Sequence, residues 1–161
     1  MQDNPQTTRD RFNILITQIT RYIAQRPLEP ALEDDLNRTF PASGPEARAL
    51  LECCRSGITD GWMCAREAGD IRFGRVIKPE PAACGFSVDV VDMKPVAGPH
   101  HRHPNGEIDF IMPLEPGAQF DGRDAGWLVY EPGSAHSPTV TQGRALILYL
   151  LPQGAIEFTQ S

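Results

Sequence analysis

Histidine and acidic side chains with the spacing of a metal site lie in the second half of the chain. The chain has four histidines, and three of them lie within four residues of one another. Because alternate residues of a strand project from the same face, His101 and His103 can converge on one point. Glu107 follows a Pro-Asn-Gly bend that can return its carboxylate to the same side. His136, which follows a turn at the start of a later predicted strand, can supply a third imidazole.

Three neutral imidazoles and one carboxylate form a donor set that suits a divalent transition metal. Iron, manganese, zinc, cobalt or nickel would fit, with coordination positions left open for water or substrate. The alternative is that these histidines are core or surface residues of a protein without a metal. The sequence predicts one divalent metal ion bound by His101, His103, Glu107 and His136.

Further polar residues near the predicted metal site could move protons. Asp109 has the same strand parity as Glu107, so it can orient a ligand imidazole or act as an acid–base group, unless it is exposed at the strand end. Glu131 precedes the turn before His136 and is either a carboxylate near the metal or a solvated turn residue. His100 points away from its neighbour, either outward or into a proton-transfer role. The predicted catalytic residues are Glu131, Asp109 and His100.

A substrate carboxylate would require a cationic partner, and two arginines are suitably placed. Arg72 and Arg75 lie on opposite faces of one predicted strand, so one of them can face the cavity and bind a carboxylate bidentately. Both could instead be surface residues of an edge strand. Tyr149, within an apolar run, can place its hydroxyl in the pocket or pack in the core. The predicted substrate-binding residues are Arg72, Arg75 and Tyr149.

The elements that must position these side chains are short strands. After Gly57 the sequence alternates between β-rich runs and turns containing Gly and Pro, with no intervening helical pattern. Such spacing is typical of an antiparallel jelly-roll barrel and not of an α/β sheet. The predicted strands are 71–77, 85–93, 107–113, 126–131, 145–151 and 155–159.

The first 57 residues read differently, as three helices. Apolar residues recur at helical spacing over 8–26, where Thr7 or Thr8 can cap the start and Pro27 ends the pattern. Two shorter helices are predicted over 30–39 and 45–56, the latter stopped by Gly57. We therefore predict an N-terminal helical segment, residues 1–57, packed on a β-barrel formed by residues 58–161.

Composition and charge exclude several classes of function. The 15 basic and 21 acidic residues give a net charge of −6, and basic residues do not cluster with aromatics, so no nucleic-acid partner is expected. No signal peptide is recognisable and no apolar run is long enough for a membrane span, so the predicted location is the cytoplasm. The four cysteines contain no Cys-x-x-Cys pair and are expected to be buried, reduced thiols.

Both histidine motifs resemble those of a known superfamily. The pattern His101-x-His103-x-x-x-Glu107 resembles the first cupin motif, and Gly133-x-x-His136 resembles the core of the second. The resemblance implies a single cupin domain in which these four residues bind the metal. Cupins commonly dimerise, so a homodimer is expected.

The arrangement of the whole chain resembles the 4-hydroxylaminobenzoate lyase family of bacterial nitroarene degradation. The resemblance lies in a helical segment of about 57 residues followed by one short cupin with a His-His-Arg-His cluster. It implies a metal-dependent conversion of 4-hydroxylaminobenzoate and water into 3,4-dihydroxybenzoate and ammonia, with a small aromatic carboxylate as substrate. Two alternatives stay open: an Fe(II) dioxygenase acting on a small aromatic or diketone substrate, and a non-catalytic cupin that binds a small acid.

Overall fold

The structure is a computed structural model that describes residues 5–159. The described residues form three helices followed by twelve strands. The helices are α1 (Pro5–Ile23), α2 (Pro30–Thr39) and α3 (Pro45–Asp60). The strands are β1 (Arg66–Ala68), β2 (Ile71–Ile77), β3 (Phe86–Met93), β4 (Val96–Ala97), β5 (His101–His103), β6 (Glu107–Pro113), β7 (Gln119–Phe120), β8 (Gly126–Tyr130), β9 (Ser134–His136), β10 (Thr139–Thr141), β11 (Ala145–Pro152) and β12 (Glu157–Phe158).

The predicted helices are present, but both ends of α1 and the C-terminal end of α3 differ from the predicted ones. Helix α1 begins at Pro5, so Thr7 and Thr8 lie inside it and do not cap it, and it ends before Pro27. Helix α3 continues past Gly57, the predicted stop, and ends at Asp60, where Gly61 caps it with a φ of 87°.

Tertiary packing explains why the chain stays helical at Gly57. A Cβ added to Gly57 would lie 2.8 Å from Cγ of Met63 and 3.0 Å from the Trp62 ring. The missing side chain therefore makes room for the segment that folds back after the helix. Glycine serves here for close packing and not as a helix terminator, a distinction that the helical pattern does not contain.

The strands form three antiparallel sheets and do not close into one barrel within residues 5–159. The large sheet has the order β1-β2-β3-β11-β6-β8. Two smaller sheets have the orders β4-β10-β7 and β12-β5-β9. The mainly β architecture with N-terminal helices agrees with the sequence prediction, whereas the closed barrel does not. Short edge strands in the small sheets account for the difference because each offers too few backbone groups to extend the pairing.

The large sheet separates two apolar clusters because side chains alternate between its faces. On one face, Phe110 and Leu148 belong to the same buried cluster as Phe12 of α1. On the opposite face, Ile111 and Ile147 form a second cluster that faces the small sheets. The functional side chains described below lie on this second, inner face. The helical segment thus shares its core with the sheet, while the boundary predicted between residues 57 and 58 stays a prediction.

Helix α2 covers the free edge of strand β8. The side-chain amide of Asn37 donates to the Trp127 carbonyl at 3.0 Å, and its oxygen accepts from the Trp127 amide at 2.8 Å. Glu33 accepts from the Val129 amide at 2.9 Å. These bonds satisfy backbone groups that an edge strand would otherwise expose to pairing with another chain. Among the described residues, no helix is both long and apolar enough to cross a membrane.

The cysteines are free thiols, as expected, but one of them is not buried. Cys53, Cys54 and Cys64 lie inside, and burial raises the pKa of the Cys64 thiol to about 12. Cys84 is exposed and caps a short 3-10 turn in the left-handed region, with a φ of 52°. The expectation of a buried thiol was therefore wrong for Cys84.

A buried carboxylate holds two strands of the large sheet to a neighbouring turn. Asp92 is 3% exposed and accepts hydrogen bonds from Arg72 at 2.6 Å and from Arg144 at 2.5 and 2.7 Å. Burial by itself would raise the pKa of Asp92, but the two guanidinium groups outweigh it and hold the pKa below its ordinary value. Folding therefore favours the ionised form of this carboxyl group.

We expect Asp92→Asn to lower the free energy of unfolding at pH 7 by about 1–3 kcal/mol. The pKa is lower in the folded than in the unfolded chain, so this stability is present above the unfolded pKa of about 3.9 and is lost as the pH falls through the folded value. Urea unfolding of both proteins at pH 7 and at pH 3 measures the difference. Asp60→Asn, at an exposed carboxylate, is the control. A difference that does not change with pH would contradict this interpretation.

A candidate metal centre

The four predicted ligands come together from three strands. Strand β5 pairs with β9 so that His101 lies directly opposite His136. His103, on the same face of β5, lies opposite Ser134. Glu107 is the first residue of β6 and therefore reaches the cluster from the large sheet. The small sheet β12-β5-β9 and the inner face of the large sheet thus enclose the cluster between them.

The ligand atoms are close together and buried. One nitrogen or oxygen atom from each of the four residues lies within 4.8 Å of all the others. Nε2 of His101 is 3.1 Å from Nε2 of His136, and Nε2 of His103 is 3.2 Å from Oε2 of Glu107. His103 and Glu107 are fully buried, His101 is 2% exposed and His136 is 11% exposed. His136 is therefore the ligand nearest to solvent.

Hydrogen bonds at the other ring nitrogens determine which histidine nitrogens face the centre. Nδ1 of His101 lies 3.3 Å from the carbonyl oxygen of Pro99, and Nδ1 of His136 lies 2.6 Å from a carboxylate oxygen of Asp121. A carbonyl and an ionised carboxylate can only accept hydrogen bonds. Both Nδ1 atoms must therefore carry a proton, so in a neutral ring each Nε2 has a lone pair that can bind a metal.

The same reasoning applies to His103 through one further bond. Its Nδ1 lies 2.9 Å from the hydroxyl oxygen of Ser134, and that hydroxyl donates its single proton to the Glu131 carbonyl at 2.6 Å. The Ser134 oxygen must therefore accept a proton from Nδ1 of His103. All three imidazoles consequently present their Nε2 lone pairs to the same point.

This arrangement requires a positive charge at its centre. With neutral rings, the Nε2 lone pairs of His101 and His136 would repel each other at 3.1 Å. Nε2 of His103 and both oxygens of Glu107 have no hydrogen-bond partner within residues 5–159. A divalent cation bound by all four residues would remove both costs, so the residues present fit a metal. Burial lowers the pKa of His136, but Asp121 and Glu107 outweigh burial and raise this pKa to about 9, so without a metal a second ring proton can supply the charge instead.

The pKa values of the carboxyl groups around the centre are shifted in opposite directions. Burial would raise the pKa of Glu107, but the three adjacent imidazoles hold it well below its ordinary value. Burial and the charge of Glu107 raise the pKa of Asp109 well above its ordinary value. Burial opposes ionisation of Asp121 as well, but hydrogen bonds from His136 and Tyr130 keep its pKa low. The environment thus favours ionised Glu107 and Asp121 next to a neutral Asp109.

Asp109 and Tyr149 lie side by side on the inner face. Strand pairing places Tyr149 of β11 opposite Asp109 of β6 and opposite Asp89 of β3, so the three side chains form a row. Asp109 is fully buried, and neither of its oxygens has a hydrogen-bond partner in the described part of the chain. Tyr149 is 6% exposed, and burial raises its pKa well above the ordinary value. Their predicted roles in catalysis and substrate binding stay predictions.

The two candidate arginines lie on opposite faces, as their spacing predicts. Arg75 pairs with Asp89 and extends the row that contains Tyr149. Arg72 pairs with Asp92 on the face that carries the helices. Arg75 is therefore the arginine on the side of the metal cluster, and Arg72 belongs to the structural ion cluster described above.

The other two predicted catalytic residues lie outside the cluster. The Glu131 side chain is exposed, and Glu131 reaches the site only through its backbone carbonyl, which accepts from Ser134. His100 makes a short hydrogen bond through Nδ1 with the hydroxyl of Thr159. Neither side chain lies among the four grouped ligands. The predicted acid–base roles of these two residues stay predictions.

The structure adds residues that the sequence did not suggest. Asp121 and Ser134 hold the Nδ1 atoms of two ligands, and Tyr130 packs against two ligand imidazoles. In the sequence, Asp121 stands before Gly122, a pair that is typical of a turn. The strand parity that places Tyr130 opposite Glu107 could have pointed to the tyrosine, but nothing local marked Asp121.

The antiparallel sheets and the cluster of three histidines and one glutamate give the chain the cupin fold. Residues 14–158 match the family described as PnbB, 4-hydroxylaminobenzoate lyase. The chain belongs to this family.

Relatives and solved structures agree with this assignment. The chain is 31% identical over 136 residues to the 4-hydroxylaminobenzoate lyase of Nocardioides sp. (strain LMS-CY), covering 79% of this chain and 80% of the relative. It is 28% identical over 144 residues to the enzyme of the same name from Pseudomonas putida, covering 79% and 82%. One chain of the crystal structures of the DMSP lyases RdDddP and RnDddQII is 15% identical, with a TM-score of 0.54 over 98% of this chain and 100% of that chain, a similarity of fold.

Proposed function

We propose that this protein is a metal-dependent lyase that converts 4-hydroxylaminobenzoate and water into 3,4-dihydroxybenzoate and ammonia. The observation that carries the proposal is the complete histidine–glutamate cluster within a chain whose residues 14–158 match that family. The proposal includes a cytoplasmic location, a homodimer and a place in the breakdown of nitroaromatic compounds.

The proposed reaction needs no external oxidant because the substrate contains one. Cleavage of the N–O bond reduces the nitrogen to the level of ammonia while one ring carbon is oxidised by two electrons. Hydroxide leaves the nitrogen, one water adds to the adjacent ring carbon, and a second water releases ammonia from the resulting imine. One water is consumed in total. A proton must reach the departing oxygen, and the attacking water must lose one.

The residues of the inner face are suited to these requirements. When bound, a divalent metal would supply Lewis acidity toward the hydroxylamine oxygen. Asp109, buried beside Glu107 and without another partner among the described residues, is the candidate group for holding and returning a proton. Tyr149, next in the row, is the candidate for a hydroxyl contact with the substrate. The apolar residues around them exclude bulk water and so strengthen each polar contact.

Arg75 is the proposed partner of the substrate carboxylate. Strands β2 and β6 are separated by β3 and β11, so Arg75 and Asp109 lie three strand spacings apart, about 14 Å. An extended arginine side chain and a para-substituted benzoate can span such a distance together. Arg75 already binds Asp89, with Nε at 2.8 Å from Oδ1, and the carboxylate would share its remaining donors.

We expect Arg75→Met to raise KM for the substrate and Arg72→Met to leave KM nearly unchanged. The loss at Arg75 should be about 1–3 kcal/mol, or about 5-fold to 150-fold, because this side chain is partly open to water. Steady-state kinetics on both variants measure the effect, after unfolding curves have established that each protein is folded under the assay conditions. Equal small changes in KM at both positions would place the carboxylate partner elsewhere.

The direct test of the proposed function is incubation of the purified, metal-loaded protein with 4-hydroxylaminobenzoate under argon. We expect ammonia and 3,4-dihydroxybenzoate in equal amounts. 4-Aminobenzoate is the matched control because it keeps the ring and the carboxylate but has no N–O bond to cleave. Absence of both products at every metal loading would overturn the proposal.

A further inference from the structure

The carboxylate of Asp121 accepts hydrogen bonds from three different strands. Its Oδ2 lies 2.6 Å from Nδ1 of His136 and also accepts a short bond from the hydroxyl of Tyr130. Its Oδ1 accepts from the backbone amide of Thr139 at 2.9 Å, while its own amide donates to the Thr139 carbonyl at 2.8 Å. The donors come from β8, β9 and β10, so this one side chain connects the strand of a ligand to its neighbours.

Asp121 also adopts an uncommon backbone conformation. Its φ is 50°, in the left-handed region that residues other than glycine seldom occupy. The chain turns here between β7 and β8, immediately before Gly122, and the turn directs the carboxylate toward His136. Aspartate tolerates this region better than most residues do, and its side chain has the acceptors that the site needs.

The aromatic ring of Tyr130 also contacts His136. Its ring centre lies 4.5 Å from that of His136 and 5.3 Å from that of His103, so it packs against two ligand imidazoles. Its hydroxyl group is held by Asp121. The imidazole of His136 is thus fixed both by a hydrogen bond in its plane and by an aromatic contact.

We infer that Asp121 is a positioning residue that fixes the tautomer and the orientation of His136 for metal binding, and that Tyr130 holds the pair in place. The inference rests on the metal centre of the proposed function. A ligand histidine whose second nitrogen donates to a carboxylate is a better and better-oriented donor to the metal. His136 needs this support more than the other ligands because it is the one nearest to solvent.

A change from carboxylate to amide should reverse the tautomer. The Thr139 amide is a donor, so an asparagine at position 121 would turn its amide oxygen toward Thr139 and its NH2 group toward His136. That NH2 group would donate to Nδ1 of His136 and move the ring proton to Nε2. A protonated Nε2 cannot bind a metal, so Asp121→Asn places the proton where the ion should be.

The experiment compares Asp121→Asn with Asp124→Asn. Asp124 is an exposed aspartate of the same turn and accepts a hydrogen bond from the side chain of Gln119. Zinc affinity is measured by competition with a chelator. The tautomer of His136 is read from long-range 1H–15N NMR spectra of histidine-labelled protein, with and without zinc, at a pH at which the ring is neutral. We expect Asp121→Asn to bind zinc about 10-fold to 100-fold more weakly and to show the Nε2–H tautomer. Asp124→Asn should resemble the wild type in both measurements.

A second variant, Tyr130→Phe, keeps the ring and removes only the hydroxyl group. It tests the inference even if Asp121→Asn does not fold. It should weaken zinc binding in the same direction and by a smaller factor while His136 keeps the Nδ1–H tautomer. Unchanged zinc affinity and an unchanged tautomer in folded Asp121→Asn would overturn the inference, and so would a Tyr130→Phe affinity equal to that of the wild type.

Failure of the proposed function would be distinguishable from failure of this inference. If the wild type binds zinc but does not turn over 4-hydroxylaminobenzoate, the lyase proposal fails, and weaker binding by Asp121→Asn still supports the positioning role. If the wild type binds no zinc, the inference is overturned together with the metal centre on which it rests.

Discussion

The double variant His101→Ala/His103→Ala is expected to lose its bound metal and all measurable turnover of 4-hydroxylaminobenzoate. It removes two of the four predicted ligands, and both are buried side chains of strand β5. The remaining pair, Glu107 and His136, cannot provide the set of donors that a divalent transition metal requires in a protein site. Purified wild-type protein should contain close to one equivalent of metal after loading with iron, manganese, zinc, cobalt or nickel, and the variant almost none.

Elemental analysis and titration calorimetry measure metal content and affinity, and circular dichroism establishes that the variant is folded. His100→Ala is the matched control for metal content because His100 is adjacent in sequence but bonds Thr159 instead of joining the cluster. This control should retain the metal. A wild-type protein that stays free of metal after every loading would contradict the metal site itself, whatever the variants do.

We expect turnover of 4-hydroxylaminobenzoate to continue without O2. In the lyase reaction the hydroxylamine nitrogen is the oxidant, so both oxygen atoms of the new ring hydroxyl groups come from water. Reaction in 18O-labelled water under argon should therefore give labelled 3,4-dihydroxybenzoate at the same rate as in air. Mass spectrometry of the product and the rate in an anaerobic vessel provide the two measurements.

The same experiment separates the lyase from the alternative of an Fe(II) dioxygenase, which could use the same four ligands. A dioxygenase takes its oxygen atoms from O2 and would stop under argon. Substitution of a ligand cannot make this distinction because loss of His136 would abolish either activity. Label that enters only from 18O2, together with no reaction under argon, would exclude the lyase.

The amino-acid sequence by itself indicated the four grouped side chains and the longer strands near them, but not the short strands β7, β9 and β10. The spacing of His101, His103 and Glu107 required a strand, a bend and a second strand, and these are β5, the turn and β6. Alternation along one strand placed Arg72 and Arg75 on opposite faces, as observed. Helix α2 was predicted with its observed ends. These features follow from local rules of periodicity, which a sequence displays directly.

Tertiary structure decided which side chains support the ligands and where several elements end. Asp121 precedes His136 by 15 residues and meets it only because β7, β8 and β9 fold onto one another. Helix α3 continues past Gly57, and the segment that follows the helix packs in the space that a larger side chain would occupy at this position. The sequence did not show which of the two arginines lies on the face of the cluster. The pairing of β2 with β3 shows that it is Arg75 and not Arg72. Each of these outcomes depends on a contact between distant residues, and no local pattern encodes the partner.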